Sequence, residues 1–142
     1  MNNKRIIYPT PEGGVAVIIP APECGLTIEE IAAKDVPEGK TFQIVNVTDI
    51  PEDRTFRNAW RKGLGKVDID LPAATEITHE KRRAKRATEF APLDIKATIP
   101  SEAAAAETAR AAIRAKFDAI QADIDACSDV AALKSIIGSE LL

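Results

Sequence analysis

Alanine is concentrated in the second half of this chain, and that imbalance constrains the fold more than any single motif. Nineteen of the 24 alanines follow residue 67, whereas the first half contains runs of large β-branched and aromatic side chains. Because alanine buries little apolar surface, the first half can build its own core, but the second half needs paired helices or a partner. We therefore predict an α+β protein, with a small head over residues 1–66 and a charged, alanine-rich helical region over residues 67–142.

The head is predicted to contain three strands. Residues 4–8 and 15–19 are short β-branched runs, separated by a cluster of proline and glycine that is typical of a hairpin turn. Residues 41–47 form the clearest strand pattern in the chain. The side chains expected to point inward from this third strand are Phe42, Ile44 and Val47.

Two shorter segments of the head carry helical signals. Thr27 and Glu30 have the spacing of a capping box, in which each side chain bonds to the other residue's backbone amide, so we predict a helix over residues 28–34. Phe56 and Trp60 are four residues apart and would share one face if their segment were helical. The head is therefore expected to combine a small sheet with one short helix.

The sequence of the second half predicts two long helices and a short terminal helix. Pro92 and Pro100 bracket a linker between the long helices, and Ser101 is placed to cap the second of them. Ser128 is expected to cap the terminal helix, and Gly138 to end it. The predicted bounds are residues 73–90, Ser101 to about Ala126, and Val130 to Ile137.

The second long helix carries a repeat spaced alternately four and three residues apart, as in a coiled coil. Two interpretations remain open: one side of an intramolecular hairpin with residues 73–90, or self-association of copies through residues 106–127. The repeat, called the heptad seam below, consists of Ala106, Arg110, Ile113, Phe117, Ile120, Ile124 and Cys127. Its predicted partner-binding residues are Ile113, Phe117, Ile120 and Ile124.

Candidate catalytic or metal-binding residues are few. His79 is the only histidine, and no candidate nucleophile accompanies it. Asp68 and Asp70 alternate along a strand-like stretch without further convergent ligands. Cys24 and Cys127 lack metal-ligand spacing, so we expect reduced thiols. We predict that the protein is not an enzyme, with no catalytic residue, no cofactor and no metal ion.

A basic run at residues 81–86 has three possible roles. Five of its six side chains are lysine or arginine, which suits a solvated helix face, an acidic protein partner or nucleic acid. Helical geometry spreads these side chains over more than half the circumference, acidic residues flank them, and no aromatic side chain interleaves them to stack on bases. Nucleic acid is therefore the least favoured of the three.

The overall charge and hydropathy give no case for a membrane partner. The net charge is −3, and the acidic excess lies entirely in the second half. No apolar run approaches the roughly 18–20 residues that span a bilayer, and the first residues do not have the pattern of a signal peptide. We expect synthesis in the cytosol.

Two elements of the head resemble a known group of proteins. Residues 31–39 contain Lys-Asp-Val-Pro-Glu-Gly, and residues 49–60 end in Asp-Arg-Thr-Phe-Arg-Asn-Ala-Trp. Together with a charged helical C-terminal region, they resemble short tail-associated or tail assembly proteins of tailed bacteriophages, closely over residues 28–61 and more loosely over 67–142. The resemblance implies a non-catalytic structural role in the virion, with other phage structural or tail proteins as partners, after synthesis in the host cytoplasm.

Two further roles are kept as alternatives. The first is a tail or tail-fibre assembly chaperone that is absent from the mature virion. The second, less favoured, is a regulatory protein that binds nucleic acid or a host factor. Phe56 and Trp60 are expected to anchor their segment in the head. A structural role is the first interpretation of this segment, and a partner-binding surface that includes Arg57 and Trp60 is the second.

Overall fold

The computed structural model describes residues 3–142 and divides into two compact units, the first ending at Asp70 and the second comprising Leu71–Leu142. Antiparallel strands and one short α-helix in the first unit, followed by two long helices and a shorter one, confirm the predicted α+β class. Residues 1 and 2 of the predicted head lie outside the described residues. The head elements are β1 (Lys4–Pro9), β2 (Val15–Ile18), α1 (Ile28–Asp35), β3 (Gln43–Asn46), β4 (Trp60–Lys62) and β5 (Val67–Ile69).

The boundary between the units falls after Asp70, whereas the sequence placed it after Lys66. The difference comes from β5, which pairs antiparallel with β4 and so belongs to the head. Gly63 and Gly65 form the turn of this hairpin, in which the Gly63 amide donates to the Lys66 carbonyl at 2.9 Å. Gly65 adopts a φ of 70°, a conformation that favours glycine.

The main sheet has the strand order β2-β1-β3, with both neighbours antiparallel to β1. The predicted hairpin between the first two strands is confirmed, and Ile6 lies opposite both Ile18 and Ile44. The third strand is shorter than the predicted residues 41–47, because Val47 begins a 3-10 turn. Residues directly opposite one another share a face, so this register determines which side chains pack together.

Both faces of this sheet are covered, which the sequence did not reveal. On one face Ile7 and Val45 pack with Trp60 and Val67. On the other face Ile6 packs with residues of α1. Two consecutive isoleucines on β1 are therefore both fully buried, although neighbouring side chains of a strand point to opposite faces.

The expected inward face of the third strand was wrong in part. Val45 is buried, whereas Phe42 and Val47 are 42% and 41% exposed. Ile44 is partly buried, and it packs on the face covered by α1. The prediction assumed a single buried face, whereas a sheet covered on both sides buries consecutive residues.

The short helix α1 begins as predicted. The Thr27 Oγ1 atom accepts from the Glu30 amide at 3.1 Å, and Glu30 Oε2 accepts from the Thr27 amide at 2.8 Å, so the capping box is complete. The helix ends at Asp35, directly before Val36-Pro37. Val36 is extended, because steric contact with the ring of a following proline disfavours the helical conformation.

The segment around Phe56 and Trp60 is not one helix. A 3-10 turn at Arg57–Ala59 leads directly into β4, which begins at Trp60. Phe56 and Trp60 are nevertheless both buried, with 1% and 4% of their surfaces exposed. Their expected role as anchors of this segment agrees with that burial.

The second unit consists of three helices. The long helices α2 and α3 pack along each other as the hairpin alternative predicted, and α4 contacts both of them. Their bounds are α2 (Leu71–Lys96), α3 (Ala103–Asp125) and α4 (Val130–Glu140). None of the helices described in residues 3–142 combines the length and the apolar character that crossing a membrane would require.

Three predicted helix ends are corrected. Helix α2 continues through Pro92, which is exposed, so water can hydrate the carbonyl that lacks an amide partner. Helix α3 begins after Glu102, whose side chain makes no capping bond, and Ser101 is not its cap. Helix α4 is capped by Asp129, which accepts from the Ala132 amide at 2.8 Å.

Helix α4 also passes the glycine that was expected to stop it. The Leu141 amide donates to the Ile137 carbonyl at 3.1 Å, and Leu141 is buried. Burial of Leu141 therefore favours continuing the helix across Gly138 over ending it there.

Candidate interaction groove

A groove with a volume of about 430 Å³ lies on the face of the main sheet that carries Ile7 and Val45. Its apolar lining includes Val17 of β2, and Ile19, which follows that strand. Val47 and Ile50 line it from the segment that follows β3. Ile19 is 67% exposed, so a large aliphatic side chain is left open to solvent here.

The charged residues of the lining are mostly basic. Arg5, Arg54 and Arg57 line the groove, whereas Glu52 is its only acidic residue among those described. The head as a whole, up to Asp70, has nine basic and eleven acidic residues, so the positive charge is a local feature. We call this surface, made of the four apolar side chains and the three arginines, the basic groove.

Arg57 is held in place by two contacts. Its Nη2 atom donates to the Val15 carbonyl at 2.8 Å, and its guanidinium carbon lies 4.5 Å from the centre of the Trp60 ring. The stack is a cation–π contact, in which the aromatic face attracts the positive charge. Burial, and then the neighbouring charge of Arg54, lower the pKa of Arg57 from its ordinary value.

The groove contains positive charge that its own carboxylates do not neutralise. Among residues 3–142, none of the ion pairs within 4 Å includes Arg54 or Arg57. Arg54 is exposed, and Arg57 is partly buried. Like charges held together at a partly desolvated position repel each other, so an anion placed between them would be attracted by both.

Local hydrogen bonds arrange this side of the groove. Asp53 Oδ1 accepts from the Thr55 amide at 3.1 Å, as in an Asx turn, and the Arg57 amide donates to the Arg54 carbonyl at 3.0 Å. The buried ring of Phe56 fixes the turn against the head. Arg54 and Arg57 therefore project from a tight turn, not from a long flexible loop.

Trp60 forms part of the lining beneath Arg57. Its Nε1 atom is buried and has no hydrogen-bond partner within the part of the chain that the structure describes. A buried donor without an acceptor costs about 1–3 kcal/mol. Trp60 is also the only tryptophan of the chain, so tryptophan fluorescence reports on this one position in the head.

The four predicted partner-binding residues of the heptad seam lie elsewhere, in the helical unit. Phe117, Ile120 and Ile124 are buried, and Ile113 is partly buried. The seam is the covered face of α3 within a single chain, so these side chains do not form a free surface. Of the predicted partner-binding residues, Arg57 and Trp60 are the two that the structure places on an open groove.

The basic run at residues 81–86 is largely occupied by contacts inside the helical unit. Four of its five basic side chains contact another residue of the helical unit. The contacts are Arg82 with His79, Arg83 with Glu76, Lys85 with the Leu142 carbonyl, and Arg86 with the Phe90 ring. This arrangement favours a structural role for the run over a surface that grips phosphates.

His79 joins two helices. Its Nδ1 accepts from Arg82 Nε at 3.2 Å, so Nε2 carries the proton and donates to Asp125 at 2.8 Å. Asp125 lies on α3, and the two bonds therefore fix the ring between α2 and α3.

The other polar candidates are separate from the groove. Asp68 pairs with Lys66 at 3.4 Å, and Asp70 pairs with Arg61 at 3.5 Å. Cys127 is a free thiol whose pKa is raised by burial and by the nearby carboxylates of the helical unit. Among the described residues, no group of three histidine, cysteine, aspartate or glutamate side chains has an arrangement that could hold a metal ion.

Sequence reasoning missed most of the groove. It identified Arg57 and Trp60, but not Arg54 of the same segment, nor Arg5 and Ile19, which come from other segments of the head. A signal for Arg54 was present, because it lies three residues before Arg57 in the same basic segment. Comparisons of the chain with protein-family models, with curated proteins and with solved structures give no match.

Proposed function

We propose that this protein is a non-catalytic component associated with the tail of a bacteriophage virion, and that it acts by binding other tail proteins through its head. The observation that supports the proposal is a coincidence of two features. The segment at residues 49–60, which carries the resemblance, also contributes six of the eleven residues that line the basic groove. They are Ile50, Pro51, Glu52, Arg54, Arg57 and Trp60.

A segment kept only to stabilise the head would have no need of an exposed arginine beside a partly buried one. Arg54 makes no ion pair among the described residues, and it repels Arg57. Such an arrangement is better suited to binding than to stability. The proposal therefore gives this part of the resemblance a role in recognition, while Phe56 holds the segment in place.

Quantitative mass spectrometry of purified particles tests this function. Particles of the phage that encodes the chain are expected to contain it in a fixed ratio to the tail proteins. Absence from particles, together with its presence on tail proteins isolated from infected cells, would favour the assembly chaperone. Absence from both preparations would overturn a tail-associated role.

A further inference from the structure

We propose that the basic groove binds an extended segment of a partner polypeptide in which acidic and apolar side chains alternate. The proposal rests on the function proposed above for the source of that segment, which would be a neighbouring tail protein. The chemical class of the bound segment does not depend on which protein supplies it, because that class follows from the charge and the shape of the groove.

Charge complementarity sets the first requirement on the occupant. Arg54 and Arg57 both line the groove, and no described carboxylate lies within 4 Å of either of them. Guanidinium groups bind carboxylates through paired, charge-assisted hydrogen bonds. A carboxylate between Arg54 and Arg57 would relieve their repulsion and form such bonds at the same time.

Apolar area sets the second requirement. Ile19 is 67% exposed and Val47 is 41% exposed, and both line the groove. They follow β2 and β3, which are the two outer strands of the sheet, with β1 between them. A free inorganic anion would leave both side chains in water, so the occupant needs apolar groups as well as a charge.

The distance across the sheet sets the third requirement. Neighbouring strands lie about 4.8 Å apart, so positions on β2 and β3 are roughly 10 Å from each other. An extended chain rises about 3.3 Å per residue, and it therefore crosses that distance in roughly three residues. Alternation places apolar and acidic side chains within the same short span, which matches a lining that contains Ile19 and Val47 as well as arginines.

The fluorescence of Trp60 provides a direct binding assay with the full chain. The probe is an acetylated and amidated peptide of about eight residues in which aspartate and valine alternate. We expect a saturable change in emission, because Trp60 lines the groove and is the only tryptophan. The affinity is expected to fall by roughly tenfold between about 0.05 M and about 0.5 M salt, as exposed charges become screened.

Two altered peptides separate charge from apolar contact. Replacing each aspartate with lysine should abolish the emission change, and replacing each valine with serine should weaken binding by roughly tenfold or more. If either peptide bound as tightly as the original, the proposal would be overturned. An equal response to inorganic phosphate or to decanoate would also overturn it, since the occupant would then be a free anion or a fatty acid.

A matched pair of substitutions places the interaction in the groove. Arg54→Glu should weaken binding of the aspartate–valine peptide by roughly tenfold or more, because it reverses a charge that the peptide contacts. Lys34→Glu makes the same reversal at an exposed site on α1, which covers the other face of the sheet, and should leave the affinity unchanged. Equal effects of the two variants, or no effect of Arg54→Glu, would contradict the assignment.

The two proposals can fail separately. If the peptide does not bind but the chain is found in virions, the groove inference fails and the tail-associated function stands. If the peptide binds but the chain is absent from particles and from isolated tail proteins, the function fails and the groove remains a binding site for acidic, apolar segments.

Discussion

The basic groove of the head and the interface between α2 and α3 use their basic side chains in opposite ways. In the helical unit, Lys116 of α3 donates to both carboxylate oxygens of Glu89 on α2, at 2.9 and 3.2 Å. In the head, Arg54 and Arg57 line an open groove with no described carboxylate within 4 Å. The contrast indicates that Lys116 is neutralised from within the chain, whereas the charges of Arg54 and Arg57 are available to a ligand.

The two units also differ in how they build a core. The head buries residues on both faces of a three-stranded sheet, although its strands have only four to six residues. The helical unit relies on one apolar stripe along α3, which α2 and α4 cover. A stripe of this kind depends on a few large side chains, because much of the remaining helix surface is alanine.

The largest predicted effect tests that dependence. Phe117→Ala should lower the free energy of unfolding of the helical unit by about 3–5 kcal/mol, because Phe117 is fully buried in the seam. Urea unfolding followed by far-UV circular dichroism measures the change. Ile95→Ala is the matched control, since Ile95 is 68% exposed, and it should change stability by no more than about 0.5 kcal/mol.

The same measurement tests whether the heptad seam is covered within a single chain. For a seam covered within one chain, the unfolding midpoint does not depend on protein concentration. A midpoint that rises with concentration, and is lost in Phe117→Ala, would show that a second copy covers this face.

A smaller effect is expected for the arginine that is fixed in the head. Arg57→Gln removes the bond to the Val15 carbonyl and the stack on Trp60, so the head should lose about 2 kcal/mol of stability. Urea unfolding followed by Trp60 fluorescence measures it. Lys66→Gln, at an exposed hairpin position, should stay within about 0.5 kcal/mol of the original. A loss no larger than that of Lys66→Gln would mean that Arg57 contributes to binding alone.

Two substitutions of a basic residue by glutamine test the contrast between paired charge in the helical unit and unpaired charge in the groove. Lys116→Gln removes the bridge between α2 and α3 and should cost about 0.5 kcal/mol, because both partners are partly exposed. Arg54→Gln should cost nothing or stabilise the head slightly, because it removes the charge that repels Arg57. Urea unfolding of both variants at low salt measures the two changes in the free energy of unfolding. A clear loss of stability in Arg54→Gln would show that Arg54 stabilises the head.

The smallest effect is a pH dependence in the helical unit. The hydrogen bond and the charge of Arg114 lower the pKa of Glu107 from its ordinary 4.5, so the carboxylate binds its proton less readily in the folded state. The stabilisation is therefore present above pH 4.5 and is lost as the pH falls through the lower folded-state pKa. Glu107→Gln should flatten that part of the acid unfolding curve. An acid unfolding curve that is the same in Glu107→Gln would contradict this role of the carboxylate.

Much of the local structure was predictable, because its causes lie within a few residues of each other. The capping box of Thr27 and Glu30 and the first hairpin follow from short spacings. The alternating spacing along α3 likewise identified the face that the structure covers. Predictions failed at helix ends, where the burial of Leu141 or the exposure of Pro92 outweighed the local preference of glycine or proline, and on the third strand, where a sheet covered on both faces buries Val45 and exposes Phe42.

The sequence by itself determined the α+β class, the capping of α1 and the covered face of α3, since periodicity and capping act over one or two turns of the backbone. Only the tertiary structure decided that both faces of the head sheet are covered and that Arg5, Arg54 and Arg57 line the same groove. The reason is physical: the register of β1 with β2 and β3 brings together side chains far apart in sequence, and no local pattern records which distant segment packs on which face.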